Sequence, residues 1–88
     1  MIYKNAKVKD TTTKEVVHQG RKLIITLTNY DDPIISNDIH DFHSQVLIKT
    51  EAGHKWGQGF FVDPIEDVEQ GMSDIINNIE VYKTHEPN

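Results

Sequence analysis

The sequence predicts an α+β domain: a four- to five-stranded, mostly antiparallel meander with one C-terminal helix packed on one face. Two patterns carry that prediction. Between Lys22 and Thr28, Leu23, Ile25 and Leu27 point one way while Ile24, Thr26 and Thr28 point the other, the period of a strand. Farther on, Ile65, Val68, Met72, Ile75, Ile76, Ile79 and Tyr82 recur at helical spacing. Length adds a bound. The 88 residues suffice for one domain, whose core buries roughly 60% of the unfolded surface.

The first element is read from Ile2, Ala6 and Val8, which alternate with Tyr3, Asn5, Lys7 and Lys9. Lys4 interrupts the inward set and marks this strand as an edge. Asp10-Thr11-Thr12-Thr13 reads as a turn. Glu15 to His18 and Lys22 to Thr28 form a hairpin, with Gly20 supplying the positive φ of a short loop. Residues 29–43 are the least regular stretch: Asp32-Pro33 starts a turn, and Ser36 or Asn37 caps a short helical piece burying Ile35, Ile39 and Phe42. Gln45 to Thr50 and His54 to Val62 make a second hairpin around Glu51-Ala52-Gly53. Parity groups Trp56, Phe60 and Val62 with Val46 and Ile48 on one buried face. Gly57 and Gly59 imply a bulge, or a helix lying close against that strand.

The helix is expected to start at Asp63 as N-cap, with Pro64 at the first helical position and Glu66 completing a capping box. Carried to Tyr82 it would be about 28 Å long. Gly71, near its apolar side, implies a close approach to the sheet, because glycine costs ~1 kcal/mol against alanine in a helix. The domain is placed at residues 1–83, with 84–88 as a disordered tail.

Composition narrows the function classes. The chain has no cysteine, so no disulfides or thiolate chemistry, and this suits a reducing, cytoplasmic setting. No apolar run approaches the ~20 residues that span a bilayer, and the first residues lack a signal-peptide core. The net charge of −5 is unevenly spread. Residues 1–22 hold six cations against two acids, a balance of +4; residues 23–88 hold three against twelve, a balance of −9.

Several surfaces follow. The helix face bearing Glu66, Asp67, Glu69 and Asp74 has no basic residue; such a face steers towards a cationic partner, although solvation and the helix dipole account for much of the pattern. Ile24, Leu47 and Phe61 are expected on the sheet face that the helix leaves bare, a surface suited to another protein or to a homodimer. Tyr3, Lys7, Lys9, Arg21 and Lys22 form an alternative, nucleic-acid-binding surface on the N-terminal strands, opposed by the overall acidity. His40 and His43, one helical turn apart, form an alternative metal site that lacks a third ligand fixed by spacing. Gly57-Gln58-Gly59 does not open a helix and is no phosphate loop, and no serine lies in an elbow motif. Helix carboxylates facing water have no neighbour to tune them for acid–base chemistry. The expectation is a non-enzymatic, cofactor-free protein-interaction module of an accessory or phage type. Its partner would be a protein with a basic surface or a second copy, rather than a membrane or nucleic acid.

Overall fold

The computed structural model describes residues 7–35 and 41–84. Four strands, β1 (Val8–His18), β2 (Arg21–Ile34), β3 (Phe42–Thr50) and β4 (Lys55–Phe61), form one antiparallel sheet in the order β1-β2-β3-β4. Helix α1 (Val68–Asn77) and a 3₁₀ turn (Ile79–Tyr82) follow. This is the expected α+β meander with one C-terminal helix.

The core lies between the central strands and the helix. Leu23, Ile25 and Leu27 of β2, with Val46 and Ile48 of β3, are wholly buried against Met72, Ile75 and Ile79. Period 2 on the strands and period 3.6 on the helix meet there, which is why both stripes are apolar. Ile24 and Leu47 alternate with these residues and take the opposite face.

The N-terminal strand differs from expectation. Asp10 to Thr13 is not a turn: Thr11 pairs with Thr28, Thr12 with Leu27 and Thr13 with Thr26. β-Branched threonines opposite a long partner strand favour continued pairing, and the irregularity shrinks to a shift between Val8 and Asp10. The positions of residues 1–6, including Ile2, Tyr3 and Lys4, lie outside the described residues. The tight turn after β1 is as read, with Gln19 at φ 52° and Gly20 at φ 78°.

β2 also runs past the expected turn at Asp32-Pro33. Pro33, which has no N–H to give, lies in the stretch where β2 and β3 lose register, between the pairs Asn29–Ser44 and Ile34–Phe42. Ile35 is exposed instead of buried, and Phe42 opens β3. Ser36, Asn37 and Ile39 lie outside the described residues.

On β4 the expected parity is reversed at the phenylalanines. Phe61 pairs with Ser44 and packs on the helix-side core, 6.2 Å from the Tyr82 ring. Phe61 is therefore not on the bare face. Phe60 pairs with Gln45, with its ring 4.8 Å from Phe42. The cause is a bulge: Ile48 faces Gly57 and Lys49 faces Lys55, leaving Trp56 as an extra residue that turns onto the core side.

The helix begins four residues later than its first capping signal. Asp67, not Asp63, is the N-cap, its Oδ1 accepting from the Gln70 N–H at 3.1 Å. The segment from Asp63 to Glu66 stays non-helical because Asn29 and Ser44 hold the Ile65 peptide. Asn29 Nδ2 donates to the Ile65 carbonyl at 3.0 Å and to Asp10 Oδ1 at 2.8 Å. Its Oδ1 accepts from the Ile65 N–H at 3.1 Å and from the Ser44 hydroxyl. A buried asparagine thus ties β1, β2, β3 and the approach to the helix together. Gly71 makes room for Ile65 of that approach and not for the sheet.

At the other end, α1 stops at Asn78, whose Nδ2 donates to the Asp74 carbonyl at 2.9 Å. The following 3₁₀ turn lays Tyr82 over Gly57 and Gly59. A methyl group at Gly57 would run into the Tyr82 carbonyl oxygen, and one at Gly59 would lie 2.6 Å from the Tyr82 ring. Both glycines are there for close approach.

Candidate functional site

In an antiparallel meander, alternate connections lie at the same end of the sheet. The β1–β2 turn and the β3–β4 turn therefore sit together, and each brings cations: Arg21 and Lys22 begin β2, and Lys55 begins β4. The C-terminal segment adds another. Lys83 bridges to Gly57, and the Thr84 N–H donates to the Trp56 carbonyl at 3.0 Å, which holds Lys83 beside the turns.

Among the described residues, Arg21, Lys22, Lys55 and Lys83 line one open depression of ≈ 980 Å³, in which Glu51 is the sole carboxylate. Trp56 is part of its wall. The Lys83 ammonium lies 5.8 Å from the Trp56 ring centroid, and the His18 ring meets Trp56 edge-on at 5.8 Å. A smaller hollow of ≈ 200 Å³ shares Arg21, Trp56 and Lys83 and adds His18 and Gln19.

Few of these cations are paired directly among the described residues. Among the described residues, no carboxylate lies within 4.0 Å of Arg21, Lys55 or Lys83, while Lys22 Nζ is 4.0 Å from Glu15. Glu80 is occupied by His18, with Nε2 and Oε2 at 2.8 Å. Nearby, burial and the Asp74 carboxylate raise the Tyr82 phenol above its ordinary range. Thr84 Oγ1, in the wall of the depression, is buried with no hydrogen-bond partner among the described residues.

The expected nucleic-acid surface is divided by this arrangement. Arg21 and Lys22 join the cationic end, but Lys7 and Lys9 sit at the far end of β1, roughly 30 Å away at 3.3–3.4 Å per residue. There they meet Asp10, Asp31 and Asp32, with the Asp31 N–H donating to the Lys7 carbonyl at 2.9 Å. Tyr3 lies outside the described residues.

The acidic helix face is also altered. α1 itself carries only Glu69 and Asp74, because Glu66 and Asp67 precede it. Asp67 is engaged as the cap, and Asp74 accepts from Gln70 Nε2 at 3.0 Å. The long carboxylate row is broken. Glu66, Asp67 and Glu69 lie at the start of the helix, after β4 has run away from the cationic turns, whereas Asp74 lies close enough to Tyr82 to act on its phenol. On the bare face, Ile24 and Leu47 are half-buried and Phe60 replaces Phe61, among threonines and glutamines.

Of the two expected metal ligands, His40 lies outside the described residues. His43 Nδ1 is 3.0 Å from the Val62 carbonyl, to which a protonated Nδ1 donates. Among the described residues, no three His, Asp or Glu side chains are grouped to hold a metal ion, and no helix is long and apolar enough to cross a membrane.

Sequence reasoning passed over Lys55, Trp56 and Lys83 as a group. The usable signal was the two turns: once both hairpins are placed in one meander, Arg21-Lys22 and Lys55 must be neighbours. Comparison with protein-family models, curated proteins and solved structures gives no match.

Proposed function

We propose that this domain is a non-enzymatic, cytoplasmic interaction module that docks an anionic partner against its cationic end. One observation supports this reading: among the described residues, four cations from three separated segments converge on a single depression with one acid in its wall. Fixed positive charge at a concave surface raises the local concentration of anions and speeds their encounter. Lysine and arginine supply that attraction without taking part in a reaction, so the reading is one of binding. The carboxylates at the opposite end, Glu66 and Glu69 among them, are repelled by the same partner, which orients the domain as it lands.

The test is retention on immobilised heparin, a generic polyanion. The protein is expected to bind at low salt despite its net charge of −5 and to elute as salt rises. Arg21→Glu combined with Lys55→Glu should abolish retention, whereas Glu66→Gln combined with Glu69→Gln should preserve or strengthen it. Passage of the unaltered protein through the column at low salt would refute the proposal.

A further inference from the structure

Resting on that reading, we propose that the anion is a short stretch of single-stranded nucleic acid, with Trp56 as its stacking platform. Three observations select this ligand. Cations and an aromatic ring share one lining: Arg21, Trp56 and Lys83 line both hollows, so backbone charge and a base face would be met at one place. An acidic peptide would use the charge and leave the indole unused. A base uses both, since every base has a π face and its strand carries phosphates.

The ring is also available to a competitor. Trp56 is half-buried, with its indole against the core, and an exposed lysine ammonium lies over the ring at 5.8 Å. That cation–π contact is weaker than base stacking, and Lys83 has no carboxylate partner among the described residues to hold it. An incoming base displaces the ammonium, which then turns to the adjacent phosphate. The bulge at Trp56 sets its side chain between the core and the wall of the depression.

The shape of the surface favours a flexible strand over a duplex. The depression is open, and it is flanked by acids: Glu15, Glu51 and Glu80 lie on the elements around it. A rigid duplex laid on this end would carry its outer phosphates onto those carboxylates. A single strand bends to keep about four phosphates on Arg21, Lys22, Lys55 and Lys83. Neutralising four phosphates of a single strand gives a slope of about −3 for log affinity against log salt. Affinity should therefore fall about 50-fold between roughly 50 and 200 mM salt.

Trp56 is the chain's single tryptophan, so its emission reports on the site directly. The full chain is titrated with three probes at low salt: a twelve-nucleotide oligothymidylate, a twelve-base-pair duplex, and polyglutamate of equal charge. Oligothymidylate is expected to quench the emission and bind most tightly, with the salt slope above. Lys55→Glu and Lys83→Glu should each weaken it several-fold, measured with a labelled oligonucleotide. Trp56→Phe should weaken oligothymidylate more than polyglutamate, its fold being checked by thermal melting. Tighter binding of the duplex, or equal binding of polyglutamate with the same emission change, overturns this inference and leaves the anion reading standing. If none of the three binds and heparin is not retained, both fail.

Discussion

Replacing Asn29 with alanine removes the side chain that makes most of the hydrogen bonds tying the sheet to the approach of the helix. Asn29 is 2% exposed and makes four hydrogen bonds: to Asp10, to both polar groups of the Ile65 peptide, and from the Ser44 hydroxyl. After truncation the Ile65 N–H keeps a longer bond to Ser44 Oγ, at 3.3 Å. The Ile65 carbonyl loses the Asn29 amide, and the Ser44 hydroxyl, 0% exposed, loses its acceptor. Leaving a buried polar group unpaired costs about 1–3 kcal/mol, and two such groups, partly relieved by water, cost about 3 kcal/mol. A chain of this length has a stability of about 4–13 kcal/mol, so the loss is a large share. With a urea m-value of about 1.5 kcal/mol/M, the unfolding midpoint falls by about 2 M. Asn29→Asp sharpens the test because it preserves shape. The introduced carboxylate has no hydrogen to give to Asp10 or the Ile65 carbonyl, so both contacts become repulsive. Its pKa in the folded protein is raised above the unfolded value, near 3.9, by burial and by Asp10. A raised folded pKa adds stability that is complete below the unfolded value and is lost as pH rises. The variant should therefore be weakest near neutral pH and recover on acidification, relative to the unaltered protein. A midpoint for Asn29→Ala within 0.3 M of the parent (roughly the scatter of such fits) would refute the assignment.

Asp67→Ala should cost about 1 kcal/mol as a lost N-cap, whereas Asp63→Ala should cost under about 0.5 kcal/mol, both read by urea unfolding. Gly59→Ala should destabilise by about 1–3 kcal/mol through the Tyr82 ring, and a Tyr82→Ala background should relieve it. Gly57→Ala meets the Tyr82 backbone instead, so the same background should give no relief. Tyr82 has a raised folded pKa through burial and Asp74; its contribution is complete below the unfolded value near 10 and is lost as pH rises through the raised one. Thermal melts between pH 8 and 11 should thus fall more steeply for the parent than for Tyr82→Phe.

The strongest local patterns survived folding unchanged. Leu23, Ile25 and Leu27 are wholly buried, and Met72, Ile75 and Ile79 form the helix side of the core. Each is set by spacing along a few residues, because alternation and helical period decide which side chains share a face. The glycines followed the same logic in part. Gly20 has the positive φ that a two-residue turn demands, and Gly57 and Gly59 admit a close neighbour, although which residue comes close was not legible.

Where two local signals competed, distant residues decided. Asp63-Pro64-Ile65-Glu66 and Asp67-Val68-Glu69-Gln70 both resemble helix starts, and the second prevails because Asn29 and Ser44 hold Ile65 outside the helix. Phe60 and Phe61 exchanged faces because one extra residue at Trp56 shifted the parity of β4. The cationic end is the clearest case. Counting charge along the chain puts the positive balance in the first 22 residues, but the meander sends Lys7 and Lys9 to one end and Arg21 and Lys22 to the other. Lys55 and Lys83 then join from residues remote in sequence. Periodicity is a property of neighbours on one segment, and it specifies a sheet, a helix and their buried faces. Coulomb interactions and buried hydrogen bonds depend on distance in space, so the Asn29 tie and the cationic end came into being only when the four strands were paired.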